Sequence, residues 1–124
     1  VKKLDIDLDA NKKIVVDKYY LVGGTGEATI EHYFDESMIG SNIALYAKIT
    51  MPPGTSFGYH VHNGTSETVV VLKGVAQCND NGVICQLHPG DVNHCPDGQG
   101  HSIGNAADAK EDLELQALIV KTDK

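Results

Sequence analysis

Three histidines and one glutamate have the types and spacing of a site that holds a metal ion. His60 and His62 are two residues apart, and on a β-strand such residues point to the same face, about 6.5–7 Å apart along the chain. Two ring nitrogens at that spacing can converge on one ion. Glu67 follows a turn-rich linker over residues 63–66, so the returning chain can place its carboxylate beside the pair. His101 must be delivered by a distant strand.

Three neutral imidazoles and one carboxylate suit one divalent transition metal per chain, namely Mn, Fe, Co, Ni or Zn. The other histidines are less informative. His94 is expected either to point inward as a hydrogen-bond donor behind a ligand, or to be a partly buried structural residue. His32 and His88 are expected at the surface near strand ends, with no role.

Short strands separated by turns carry these residues. Residues 43–51 place five apolar side chains on one face at a period of two, which is the pattern of a half-buried strand. The predicted strands cover residues 14–16, 28–34, 42–51, 56–62, 67–72, 75–78, 83–87, 92–95, 101–104 and 113–120. Strands recurring at this spacing with Gly-rich turns indicate an all-β sandwich or barrel. We expect one domain over 1–124, with an N-terminal strand segment over 1–40 and a metal-binding barrel core over 41–124.

Composition narrows the possible partners. Seventeen acidic residues oppose ten basic ones, for a net charge of −7, and this charge disfavours nucleic-acid binding. All the basic residues are lysines, so no planar guanidinium is available to bind a carboxylate with two hydrogen bonds. No apolar run approaches the ~20 residues of a membrane span. Residues 1–5 lack the apolar stretch of a secretion signal, and a cytoplasmic location is expected.

The three cysteines, Cys78, Cys85 and Cys95, are expected to be reduced thiols. Two of them flank a turn. If the loop is the two residues Asn81 and Gly82, Cys78 and Cys85 face each other on adjacent strands. If Gly82 is instead a bulge after a type I turn, Cys78 pairs with Ile84, the residue before Cys85.

Two spaced motifs carry a family resemblance. One motif consists of Gly54, His60, His62, Glu67 and Gly74, with intervals of five, one, four and six residues. The other consists of Gly90, Pro96, Gly98, His101 and Asn105, with intervals of five, one, two and three residues. Together they resemble the two motifs of the cupin superfamily, complete at every position over residues 54–105. The segment Gly100 to Ile103 is also similar to small bacterial cupins, some of them labelled oxalate-decarboxylase-like.

The resemblance implies a double-stranded β-helix, or jelly-roll, barrel of two antiparallel sheets. It implies His60, His62, Glu67 and His101 as metal ligands, and a homodimer. It does not imply one reaction, because cupins include dioxygenases, decarboxylases, isomerases, lyases, sugar-binding transcription factors and storage proteins.

Two functions are therefore open. The leading hypothesis is a metalloenzyme, such as an oxidoreductase, decarboxylase, lyase or isomerase, acting on a small polar or anionic metabolite. Four protein ligands would leave two adjacent positions of an octahedral ion for a bidentate oxygen ligand. The alternative is a metal- or small-ligand-binding module without turnover, because Asp80, Asp91 and Asp97 are typical turn residues and no other acid or base is evident nearby.

One strand also bears on assembly. If Glu67 points into the barrel, Val70 and Leu72 point out of it, since successive side chains alternate. Apolar side chains that point outward from a central strand should be shielded from water by another part of the protein or by a partner. The N-terminal segment around residues 14–16 would provide this cover within one chain, or a partner subunit would provide it in a homodimer.

Overall fold

The computed structural model describes residues 16–19, 26–33 and 41–122, and these residues form β-strands joined by turns. The strands are β1 (Val16–Tyr19), β2 (Ala28–His32), β3 (Ile43–Met51), β4 (Ser56–Val61), β5 (Thr65–Lys73), β6 (Ala76–Asp80), β7 (Val83–Leu87), β8 (Val92–Cys95), β9 (Gly100–Asn105) and β10 (Leu113–Lys121). Of these described residues, none belongs to a helix long and apolar enough to cross a membrane. The predicted all-β class is confirmed.

The strands form two sheets, and all the pairings are antiparallel. One sheet has six strands in the order β1-β2-β3-β10-β5-β8, and the other has four in the order β4-β9-β6-β7. From β3 to β10 the chain passes repeatedly from one sheet to the other, which is the connectivity of a jelly-roll barrel. Neighbouring motifs in the sequence therefore end on opposite walls of the barrel.

The core lies between the two sheets. Strand alternation buries every second residue of the central strands, and Ile49 on β3, Leu115 on β10 and Val71 on β5 lie side by side in one row of the six-stranded sheet. Each of these residues is at least 97% buried. Because Leu115 is the middle member, it packs between apolar neighbours on both sides.

The hairpin between β6 and β7 decides how the two flanking cysteines pair. Asn81 and Gly82 have φ values of 50° and 97°, the left-handed geometry of the two-residue turns that match strand twist. Cys78 therefore lies directly opposite Cys85, which was the first of the two alternatives. All three cysteines are free thiols.

The four motif glycines at turns, Gly54, Gly74, Gly90 and Gly98, all have positive φ. Gly74 shows why another residue would not fit. Its φ is +85°, and a Cβ there would lie 3.0 Å from the carbonyl oxygen of Asp112. The turn that ends β5 therefore needs glycine for both its backbone conformation and its space.

The outward face of β5 carries apolar side chains, as the alternation predicts. Leu72 is 44% exposed, and Val92 on the neighbouring strand β8 is 55% exposed. Val16 begins a strand that pairs with β2 at the opposite edge of the sheet, so the described part of the N-terminal segment does not cover β5. Residues 14 and 15, which belong to the same predicted cover, lie outside the described residues.

Candidate metal centre

Two adjacent strands of the four-stranded sheet deliver the three histidines. His60 on β4 pairs directly with His101 on β9, so a strand 41 residues later in the chain brings the third ring beside the first. His62 lies just beyond the end of β4. Its backbone nitrogen donates to the Gln99 carbonyl (2.9 Å), and its carbonyl accepts from the Gly98 nitrogen (2.8 Å). The loop that precedes His101 therefore also fixes His62.

The carboxylate comes from the opposite sheet. Glu67 lies on β5 with the inward parity of Val69 and Val71, and it is buried. The linker between His62 and Glu67 is anchored by Asp97, whose carboxylate accepts from the Gly64 nitrogen (2.9 Å). The short turn thus lets Glu67 face the histidines across the barrel interior.

The four ligand atoms converge on one point. His101 Nε2 lies 3.1 Å from His60 Nε2, 3.1 Å from His62 Nε2 and 2.8 Å from Glu67 Oε1. His62 Nε2 lies 3.4 Å from the same oxygen. Metal–ligand bonds of about 2.0–2.2 Å place ligand atoms at adjacent corners of an octahedron about 3 Å apart. The four side chains are therefore arranged as a group that could hold a divalent metal ion.

The far side of each imidazole has a partner that orients the ring. His60 Nδ1 lies 2.7 Å from the Gly58 carbonyl oxygen, and His101 Nδ1 lies 2.9 Å from Asn93 Oδ1. Both oxygens accept, so each Nδ1 donates and the Nε2 lone pair of the neutral ring faces the centre. His62 Nδ1 lies 2.8 Å from the Thr65 hydroxyl.

Electrostatics agree with a ligand role. Burial raises the pKa of the Glu67 carboxyl, but hydrogen bonds with the His101 and His62 rings, when these rings carry a proton on Nε2, outweigh burial and bring the pKa down to about 2. Burial is the main cause that lowers the pKa of His60. Glu67 is therefore ionised and His60 neutral near pH 7, the protonation states that bind a metal. A proton or a cation between these atoms would relieve the repulsion of the converging lone pairs.

A cavity of about 460 Å³ opens onto the four side chains. Its polar lining side chains within the described parts of the chain are His60, His62, Glu67 and His101. The other walls are apolar and include Leu45, Ile49, Phe57, Val69, Ile103 and Leu115. A ligand that reaches the four polar atoms therefore does so along apolar walls.

One inference from the sequence was wrong, and one residue was missed. His94 is exposed on the outer face, where its Nδ1 lies 2.9 Å from the Thr68 hydroxyl. Its neighbour Asn93 faces inward instead and supports His101. The pairing of β8 with β5 reveals this orientation. Asn93 lies opposite Val69, whose side chain points to the interior as that of Glu67 does. His88 is exposed as expected, and His32 is half-buried at the end of β2.

Comparison with known proteins identifies the family. A family model described as a cupin domain matches residues 47–117, which is more than half of the chain. This chain is a cupin. The match begins within β3 and ends within β10, so it includes strands of both sheets and all four side chains of the candidate centre.

Relatives of this cupin agree with that result. An oxalate-binding protein from Thermotoga maritima is 35% identical over 98 residues, covering 79% of this chain and 79% of that protein. A crystal structure described as a predicted oxalate decarboxylase from Thermotoga maritima has a TM-score of 0.81 and 31% identity, covering 90% of this chain and 96% of that one. The resemblance to small bacterial cupins is thus confirmed, as is the jelly-roll barrel.

A more distant structure shows the fold alone. A polyketide cyclase from Streptomyces resistomycificus has a TM-score of 0.72 with 14% identity, covering 91% of this chain and 77% of that one. Identity this low says nothing about a shared ligand, because one fold carries many functions.

Proposed function

We propose that this cupin holds one divalent transition metal on His60, His62, Glu67 and His101, and that it binds a small oxygen anion at that centre. The observation that carries the proposal is the convergence of three Nε2 atoms and one carboxylate oxygen inside an accessible cavity. The donor set suits Mn, Fe, Co, Ni or Zn. The name of the oxalate-binding relative supports a small anionic ligand.

The charges of the site explain the preference for an anion. Three neutral imidazoles and the Glu67 carboxylate carry one negative charge, so a bound divalent ion would supply a net positive centre with two adjacent open positions. The cavity walls described by the structure contain no lysine, and the chain contains no arginine. Among the described residues that line the cavity, therefore, none offers an anion a side-chain cation in place of the proposed metal centre.

Binding without turnover is better supported than catalysis. A reaction that transfers a proton needs an acid or base within hydrogen-bond reach of the substrate. Among the described residues lining the cavity, the titratable side chains are the four proposed ligands themselves. The carboxylate of Asp97, one of the turn aspartates, accepts hydrogen bonds from the Gly64 nitrogen and the Thr122 hydroxyl. Turnover of any compound in a panel of small hydroxy- and keto-acids would favour the metalloenzyme hypothesis instead.

Metal analysis of the purified protein tests the proposal. We expect one tightly held divalent ion per chain, and lower metal content in His60→Ala, His62→Ala and His101→Ala, because each removes one coordinating nitrogen. His32→Ala and His88→Ala are the matched controls and should retain the ion. Equal metal content in all five variants would contradict the assignment.

We also infer that the protein is a homodimer. We further infer that it works in a reducing compartment such as the cytoplasm. The free state of all three cysteines supports the compartment. The exposed apolar face at Leu72 and Val92, which the described N-terminal strand leaves uncovered, supports a two-fold partner.

A further inference from the structure

We propose that the anion bound at this centre has an apolar group attached to its carboxylate head. The preferred ligand is then a small monocarboxylic keto- or hydroxy-acid with a hydrocarbon side chain. This inference rests on the proposed metal-dependent binding and names the class of ligand. It differs from what the name of the oxalate-binding relative would suggest for this chain, because oxalate has no apolar part.

The register of the six-stranded sheet places apolar side chains next to the carboxylate. Ile119 pairs directly with Glu67, and Leu45 pairs with Ile119 on its other side. All three lie in one row on the inner face and line the cavity. A ligand held beside Glu67 therefore has Ile119 and Leu45 along the same wall.

The opposite wall has the same character. Phe57 and Ile103 pair with each other across β4 and β9, and both line the cavity on the sheet that carries the histidines. Further along β5, Val69 continues the apolar lining from Glu67. The part of a ligand that is not held at the four polar atoms is thus enclosed by hydrocarbon from both sheets.

Volume supports the same conclusion. The cavity measures about 460 Å³, whereas an engineered apolar cavity of about 150 Å³ accommodates benzene. Oxalate has as many non-hydrogen atoms as benzene, so it would fill only a minor part of the space. A second carboxylate placed deeper in the cavity would meet no cation on the described walls, and an unpaired buried charge is strongly unfavourable.

A series of α-keto acids with a constant head group tests the proposal. The protein is loaded with Co²⁺, whose visible spectrum reports ligand entry, and binding is measured by titration with pyruvate, α-ketoisocaproate and α-ketoglutarate. Oxalate, which is not an α-keto acid, is titrated for comparison. Burial of each apolar carbon strengthens binding roughly fourfold. We expect α-ketoisocaproate to bind at least about tenfold more tightly than pyruvate, because it has more apolar carbons to bury. We expect the same advantage over α-ketoglutarate, which places a carboxylate against the apolar walls where α-ketoisocaproate places methyl groups.

A pair of variants locates the effect. Leu45→Gln places an amide on the cavity wall and should remove most of the gain of α-ketoisocaproate over pyruvate. Leu118→Gln is the control, because Leu118 lies on the outer face of β10 opposite Tyr46 and Thr68, and the gain should persist. Loss of the gain in both variants, or in neither, would contradict the assigned wall.

The outcomes separate this inference from the proposed function. If oxalate and pyruvate bind but the apolar side chain adds nothing, the inference is overturned and the anion-binding function stands. If Co²⁺ does not bind, or binds while none of the four anions does, the proposed function itself is overturned along with the inference.

Discussion

Removing the Asn93 side-chain oxygen should weaken metal binding without removing any ligand. His101 is fully buried, and its Nδ1 lies 2.9 Å from Asn93 Oδ1, with Asn93 only 4% exposed. In Asn93→Leu the ring nitrogen loses its acceptor in a place that water does not reach. A neutral His101 then gains by moving its proton to Nε2, from which it donates to Glu67 Oε1 at 2.8 Å. That tautomer has no lone pair for a metal.

The size of the effect follows from the lost hydrogen bond. A buried donor without a partner costs about 1–3 kcal/mol, and metal binding must restore that arrangement. The expected loss of affinity is therefore about 10–100-fold, the range typical when the partner behind a histidine ligand is removed.

Competition with a chromophoric chelator measures the affinity, and thermal unfolding of the metal-free protein reports whether the variant still folds. Asn93→Asp keeps an oxygen acceptor and should bind at least as tightly as the wild type. Gln77→Leu, on an exposed site of β6, makes a similar change in side-chain chemistry away from the centre and should have no effect. A folded Asn93→Leu protein with unchanged affinity would refute the tautomer argument.

Four other measurements test the rest of the structure. Glu67 has a folded-state pKa of about 2 against an ordinary 4.5, so the metal-free protein should keep this stabilisation above pH 4.5 and lose roughly 3 kcal/mol as the pH falls towards 2. Glu67→Gln should lack that loss in chemical unfolding. Leu115→Ala should lower the free energy of unfolding by about 2–5 kcal/mol, whereas Val83→Ala, at a site that is 66% exposed on β7, should lower it by under about 1 kcal/mol; equal losses would mean that the core is misplaced. Thiol titration of the denatured, unreduced protein should count three free thiols, and a count of one would indicate a disulfide. Sedimentation at micromolar concentration should give about twice the mass of one chain, and a monomer would contradict the proposed cover.

The sequence by itself determined the features that depend on local spacing. The alternation in β3 identified the buried face, and the glycine positions identified turns, because both follow from backbone geometry over a few residues. The two motifs indicated the four residues of the candidate centre, because the spacing of His60 and His62 lets their ring nitrogens converge.

Features that depend on pairing between distant strands were decided only by the tertiary structure. Strand β8 has four residues, too few for its own pattern to show which side faces inward, and its pairing with β5 turned Asn93 rather than His94 to the interior. The apolar wall beside Glu67 likewise exists because β10 lies between β5 and β3. Residue 119 is 52 positions from Glu67 in the sequence. Strand register is a long-range property set by the whole core, so no local pattern reveals what surrounds the four residues of the candidate centre.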